Sequence, residues 1–259
     1  MSKPVLAAQL YTIRQFTQTM EGFAASMQKI REIGYTAVQV SGIGPISNED
    51  VKRIVDAQGL VICNTHISYD ALWNHLDEVI EQHRLWNCKH VAIGSMPDEF
   101  RGTESGFRRF AAEASRVGEK LAQAGLTFSY HNHSFEFVRF GKQTGLEILY
   151  EASDPRYLRA EIDTYWVQHG GSDPAAWIRR LKSRMPVVHF KDMAVQAEGW
   201  NVQPVMAEVG EGNLNWPEIL KACREAGVEW YAVEQDVCQR DPFESLKISF
   251  TNLQAMGLE

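Results

Sequence analysis

The chain has 259 residues, 44% hydrophobic and 23% charged, with a formal net charge of −7. Length and composition suffice for one substantial core, so a single domain over residues 1–259 is expected. An acidic chain without a basic stripe argues against nucleic acid as a partner, and the absence of a long uninterrupted apolar run argues against a membrane span. The start, Met-Ser-Lys-Pro, lacks the apolar segment of a signal peptide, and a cytoplasmic location is expected. Cys63, Cys88, Cys223 and Cys238 are scattered without a C-x-x-C pair, which speaks against a disulfide framework or zinc knuckle.

Residues 5–11 (VLAAQLY) read as a strand, and 23–33 (FAASMQKIREI) have helical apolar spacing closed by Gly34. The unit then recurs. Residues 37–41 form a strand, Ser47-Asn48-Glu49-Asp50 opens a helix ending at Gly59, and 61–66 form a strand followed by a long helix from about 71 to 87. Residues 90–96 are the fourth strand, 106–124 an amphipathic helix closed by Gly125, and 126–133 the fifth strand. A short helix at 145–152 precedes strand six at 158–164, and Asp173-Pro174 starts the next helix with proline in its first turn. Strand seven is 187–192. Residues 193–214 are predicted to be irregular and to lie over the mouth, where lids belong. Asn215-Trp216-Pro217 starts a helix running to Gly227, 230–235 form strand eight, and 241–256 the last helix. Eight strands alternating with eight helices predict an α/β fold of the (β/α)8 TIM-barrel type. The competing doubly wound sheet would carry a glycine-rich phosphate loop after strand one, where this chain has Gln9-Leu10-Tyr11-Thr12.

Four strands end in groups that a buried strand has no reason to carry. T-F-S-Y-H-N-H-S-F-E-F (127–137) ends in His131, Asn132, His133 and Glu136; strand six ends on Glu161 and Asp163; strand seven carries His189, Lys191 and Asp192; strand eight carries Glu234 and Asp236. Strand C-termini converge in a barrel, so Asp163, His189 and Glu234 are expected as neighbours. Carboxylates with imidazole suit Mn2+, Mg2+, Co2+ or Zn2+; the alternative is a ring of unrelated ion pairs at the mouth.

The runs A-E-I-D-T-Y-W-V-Q-H-G-G, V-V-H-F-K-D, E-V-G-E-G-N-L-N-W and V-E-Q-D, with Y-H-N-H-S-F-E-F, give the chain a resemblance to the sugar phosphate isomerase/epimerase family of xylose isomerase-like TIM barrels. That family also contains inosose dehydratases, ketose 3-epimerases and endonuclease IV-type enzymes. The resemblance runs from Q-L-Y-T-I-R near the start to the last helix. It implies one divalent metal, Mn2+ first, held by a residue of strand five together with Asp163, His189 and Glu234, and a carbohydrate substrate bound through its oxygens. Matching Asn132-His133 to the family's Asn-His pair puts His131 where the family usually has a metal-binding Glu. Trp166 stands where the family's epimerases tend to have a His. Both departures weigh against a two-glutamate epimerisation.

The chemistry that remains is enolisation next to a carbonyl, leading to isomerisation or epimerisation, or to β-elimination from a 3-keto-glycoside or inosose by a lyase or dehydratase. Glu234 or His133 is the candidate base. Lys191 or a second imidazole is the candidate acid, and Lys191 has the competing reading of an ion pair with Asp192 or Glu161. His131 is either a ligand or a histidine held behind one. His66, Gln9 and Gln39 are candidates for sugar hydroxyls, as is Glu136, which alternatively orients His133 or is a solvated loop carboxylate. Trp166, Tyr165 and Trp200 are candidates for the wall against a pyranose ring. Gly210, Gly212 and Asn213 read as a turn with Glu208 anchoring the lid, and His75, His83 and His90 receive no role. From another class, a non-catalytic sugar-binding or partner subunit is the rival. A homo-oligomer is left open.

Overall fold

The structure, a computed structural model, describes residues 4–258. Met1, Ser2, Lys3 and Glu259, included in the expected domain and leader readings, lie outside the described residues. Eight parallel strands form the barrel: β1 (Val5–Gln9), β2 (Ala37–Val40), β3 (Val61–Thr65), β4 (His90–Ile93), β5 (Thr127–His131), β8 (Leu158–Asp163), β9 (Val187–Phe190) and β12 (Trp230–Val233). Two short strands, β6 (Arg139–Phe140) and β7 (Gln143–Thr144), and the longer pair β10 (Asp192–Glu198) and β11 (Asn201–Ala207) make separate hairpins. The helices are α1 (Met20–Ile33), α2 (Asn48–Ala57), α3 (Tyr69–Asn74), α4 (Leu76–Trp86), α5 (Glu104–Gln123), α6 (Gly145–Ala152), α7 (Thr164–His169), α8 (Pro174–Arg180), α9 (Trp216–Ala226) and α10 (Pro242–Ala255). No helix among the described residues is long and apolar enough to cross a membrane.

The sheet order β3-β2-β1-β12-β9-β8-β5-β4 brings the first and last strands of that list edge to edge. There the ring closes through the bridge between His66 and Ala92, with the Ile67 amide donating to the Ala92 carbonyl at 2.9 Å. The barrel expectation is met.

Helix starts follow the capping chemistry legible in the sequence. The side chains of Ser47, Asp173 and Asn215 accept from Asp50, Ala175 and Glu218 amides, satisfying donors that the first helical turn leaves open. Along α5, Phe107, Phe110, Ala111, Ala114, Val117 and Leu121 are buried at helical spacing, each large side chain contributing about 1.5–3 kcal/mol by leaving water.

Inside the barrel, the two-residue period of the strands divides the interior into layers. Ala7, Ala37, Cys63, Val187 and Ala232 form a small apolar cluster. Two residues further along their strands stand Gln9, Gln39, His189 and Glu234, all buried and polar. The apolar layer is thus a plug, and the polar layer above it is the floor of the mouth.

Two expectations need correction. The helix read over 71–87 is two helices, α3 and α4, broken at His75, where the backbone leaves the helical conformation (φ −132°, ψ 36°) and its amide closes α3 on the Ala71 carbonyl. No glycine or proline marks that break. The segment 193–214 is not irregular: most of it is the β10–β11 hairpin, paired from Asp192↔Ala207 to Glu198↔Asn201 across a Gly199-Trp200 turn. Its outer half is exposed on both faces, so no one-sided apolar alternation marks it as strand. Asp192 anchors its base, accepting from the amides of Gly210, Gly212 and Leu214 and from the Trp216 indole at 2.6 Å. A Cβ on residue 212 would collide with that carboxylate, which explains the glycine. Glu208 fastens the following loop to α10 through the Ser245 hydroxyl at 2.7 Å.

Candidate active site

The ends of β5, β8, β9 and β12 bring His131, Asp163, His189 and Glu234 together, with one potential ligand atom from each lying within 4.8 Å of all the others. All four are buried. The hydrogen bonds on the far side of each imidazole fix which nitrogen faces the cluster. His131 Nδ1 meets the Gly94 carbonyl at 3.0 Å, an acceptor, so Nδ1 carries hydrogen and Nε2 is bare. His189 Nε2 meets Glu161 Oε1 at 2.9 Å and Gln39 Oε1 at 2.9 Å, both acceptors, which leaves its Nδ1 bare. The bare atoms face Asp163 Oδ2 at 3.2 Å and Glu234 Oε2 at 3.0 Å. Lone pairs facing lone pairs at these distances require a positive charge among them, either protons on the imidazoles or a cation. Two nitrogens and two carboxylate oxygens without sulfur fit a divalent ion of the Mn2+, Mg2+, Co2+ or Zn2+ type.

Behind this set lies Lys191, wholly buried, its Nζ at 3.0 Å from Asp163, 2.7 Å from Glu234 and 2.8 Å from Asp236. Burial pushes the ammonium down, but the three carboxylates outweigh it and hold the lysine protonated, its pKa raised. The expected partners Asp192 and Glu161 are replaced by these three. Burial would raise Glu234, yet Lys191 and His189 keep its carboxyl well below the usual range. Burial likewise lowers His189, and the carboxylates of Glu161 and Glu234 reverse this, raising it to about 10 in the absence of a metal. Gln9 donates to Glu234 Oε1 at 3.0 Å, fixing the carboxylate's rotation. Glu161 is gripped by Asn64 at 2.6 Å and by His66 Nε2 at 2.8 Å. Asn64 was not foreseen; a polar residue inside an otherwise apolar strand was the available signal.

A pocket of about 610 Å³ opens above the cluster. His66, His131, His133, Trp166, Glu234 and Asp236 line its inner part. Burial drives the His133 imidazole down to about 3, so the ring is neutral at physiological pH. Gln9 and Gln39 are wholly buried beneath this surface and hold the site rather than line it. Trp200, expected in the wall, is fully exposed at the hairpin turn, and Tyr165 is buried beside Trp166 without lining the pocket. His83 is a buried link in α4, its ring between Thr65 Oγ1 at 2.8 Å and the Val79 carbonyl at 2.7 Å.

Glu136 also lies behind the wall. It is fully buried, accepts from the Tyr130 hydroxyl at 2.7 Å and from the His133 amide at 2.9 Å, and so holds the backbone of His133 rather than its ring. Burial pushes its carboxyl up to about 7, against the opposing pull of those donors. The folded value therefore exceeds the unfolded value of about 4.5, and the folded chain binds this proton more tightly. The resulting stabilisation is complete below about pH 4.5, declines as pH rises and is gone above about pH 7. Compared with Glu136→Gln, the wild type is expected to lose on the order of 3 kcal/mol across that window, read as diverging thermal midpoints between pH 4.5 and 8. Parallel curves would refute this account of Glu136.

Barrel, buried cluster and open mouth together define a (β/α)8 protein with a pocket over a cluster of side chains of metal-ligand type. The sequence pattern of the xylose isomerase-like TIM barrel family matches residues 27–247, and the chain belongs to that family. It is 29% identical over 258 aligned positions to an inosose dehydratase of Lacticaseibacillus casei, covering 86% of this chain and 85% of that protein. Among solved structures, a sugar phosphate isomerase/epimerase from Parabacteroides distasonis superposes with a TM-score of 0.79 at 23% identity, covering 99% of this chain and 96% of that one. A xylose isomerase-like TIM barrel protein from Mycobacterium smegmatis, solved in complex with magnesium, superposes with a TM-score of 0.74 at 12% identity, covering 98% of each chain.

Proposed function

We propose that this chain is a divalent-metal-dependent enzyme that removes the proton next to the carbonyl of a keto-sugar or related keto-polyol and eliminates the substituent on the neighbouring carbon, as a carbon–oxygen lyase or dehydratase. The observation that carries the reading is the convergence of four buried potential ligand atoms, one each from His131, Asp163, His189 and Glu234, within 4.8 Å of one another, while the opposite nitrogen of each imidazole is held by an acceptor outside the cluster. His131, Asp163, His189 and Glu234 would hold the ion, Mn2+ being the first choice. A bound divalent ion supplies electrophilic polarisation of a carbonyl oxygen, which acidifies the adjacent C–H.

The chain's own residues do the rest. Glu234, ionised and fixed by Gln9, lines the pocket and takes the proton from carbon. The C–H electron pair forms the new double bond, the C–O pair leaves on oxygen, and the proton on Glu234 passes to that oxygen. Lys191 remains protonated and holds Asp163 and Glu234 in place, serving as a fixed counter-charge rather than as the acid. His133, neutral, accepts a hydrogen bond from a substrate hydroxyl, while His66 and Trp166 bound the same space.

Elimination is favoured over epimerisation because the carboxylates that line the pocket, Glu234 and Asp236, both come from the end of β12. The other wall offers imidazoles and an indole, so among the described residues no carboxylate lines the opposite face to return a proton from there. The similarity to an inosose dehydratase over 86% of this chain and 85% of that protein supports the same outcome. An isomerase or epimerase reading draws on the enolate common to both reactions.

The test combines metal analysis with isotope exchange. Purified protein is expected to retain about one divalent ion per chain and His131→Ala to retain much less, its affinity falling by at least the about 10–100-fold that loss of a group behind a metal ligand costs. The metal-loaded protein in D2O is expected to exchange the proton next to the carbonyl of methyl 3-keto-glucoside with loss of methanol. Exchange with return to a stereoisomer would transfer the reading to epimerase. Metal without exchange would favour a sugar-binding subunit, and no metal would mean that the cluster is an ion-pair network.

A further inference from the structure

The pocket has two chemically distinct zones. Its inner zone is ionic and polar, as described above. Away from the ionic groups its lining is mainly aromatic and aliphatic, with Tyr11, Ile67, Tyr69, Met206 and Val237 set among Ser41, Ser68 and Ser95. Two of these keep large surfaces in contact with solvent, Tyr11 at 37% and Val237 at 60% exposure. Apolar side chains gathered at a pocket rim mark a surface that a ligand covers. The volume of about 610 Å³ is in the range of pockets that enclose drug-sized molecules and exceeds what one six-membered sugar ring fills.

Charge narrows the ligand further. Arg14 is the only Arg or Lys lining this pocket among the described residues, and its guanidinium is already engaged. It donates to the Tyr11 carbonyl at 2.8 Å and twice to the Asp236 carbonyl at 3.2 Å, with the Tyr11 ring 4.1 Å beneath its plane. Arg101, behind Ser95, is likewise held by the Met96 carbonyl at 2.7 Å and the Ser95 hydroxyl at 2.9 Å. Lys191 is enclosed by its three carboxylates. A phosphate group would meet the negative charge of Glu234 and Asp236 without a free guanidinium fork to receive it.

Building on the reading above, we propose that the substrate is an uncharged glycoside: its keto-sugar ring lies on the polar floor and an apolar aglycone occupies the outer zone, while phosphorylated sugars are rejected. In the elimination the bond to the aglycone oxygen breaks, the carbon-bound proton ends on that oxygen, and the products are an unsaturated keto-sugar and a neutral alcohol. No oxidant or reductant is consumed. The exposed outer zone suits a group that must depart as a separate molecule.

The experiment is titration calorimetry of the Mn2+-loaded protein with three probes: methyl β-D-glucopyranoside, phenyl β-D-glucopyranoside and glucose 6-phosphate. The phenyl glycoside is expected to bind about 10-fold more tightly than the methyl glycoside, and the phosphate about 10-fold more weakly. In Val237→Ser and Tyr69→Ala the phenyl-to-methyl ratio is expected to fall to about 2 or less, Val237→Ser being the surface change with little reason to disturb folding. Equal binding of the two glycosides, tighter binding of the phosphate, a ratio unchanged in both variants, or no binding of any probe would each overturn the proposal. The elimination reading stands or falls separately, on proton exchange with methyl 3-keto-glucoside, which has no apolar aglycone.

Discussion

Glu234→Gln is expected to reduce proton exchange and elimination on a keto-glucoside by at least about 10³-fold, roughly 4 kcal/mol of transition-state stabilisation, while the protein stays folded. The substitution keeps the volume of a side chain held between Gln9, His189 and Lys191, so packing is retained. What is lost is the negative charge that accepts a proton from carbon. A variant with near-wild-type activity would remove Glu234 from the mechanism and leave His133 as the remaining base. A variant that fails to fold would instead mean that its contact with Lys191 is primarily structural, which circular dichroism and a thermal scan resolve.

The second large effect concerns Lys191. Replacing it with Met preserves much of the side-chain volume but strips the counter-charge from Asp163, Glu234 and Asp236. Removing one partner of a buried ionic group typically costs about 3–5 kcal/mol, because the other charges stay where water cannot reach them. For a chain of this size that corresponds to a fall of roughly 10 °C in Tm. Added Mn2+ is expected to raise the Tm of Lys191→Met by more than it raises that of the wild type, since the cation would then supply the missing charge. A metal response no larger than in the wild type would show that the carboxylates under Lys191 do not belong to a cation site.

The barrel was legible because its signals are local and repeated: capping residues such as Ser47 and Asp173, glycines after helices, and short β-branched runs at regular intervals. The placement of His131, Asp163, His189 and Glu234 followed from a single geometric fact, that strand ends converge in a barrel. Side-chain direction was harder to read. Apolar and polar spacing around Glu136 does not distinguish a carboxylate reaching the pocket from one folded back onto the His133 amide, because that choice depends on how the turn after β5 lays the carboxylate against the hydroxyl of Tyr130, six residues earlier. Lys191 has the same history: Asp192 is adjacent in sequence, but successive strand residues face opposite ways, and its partners come from β8 and from the end of β12. Trp200 misled because tryptophan usually signals a wall or a core, whereas here it occupies a two-residue turn.

The barrel's circumference is uneven in strength. Neighbouring strands are joined around most of the ring by three or more paired residues, but between β3 and β4 the ladder shrinks to the His66–Ala92 bridge. His66 also clamps Glu161, so one residue stitches the ring and steadies the carboxylate behind His189. Sub-global opening takes the route that breaks the fewest contacts, and here that route runs through the wall carrying Ile67 and Tyr69. The seam beside the chemistry is therefore the stretch of the ring that the backbone ladder holds least, and the side chains of His66 and Glu161 supply part of the hold that the ladder does not.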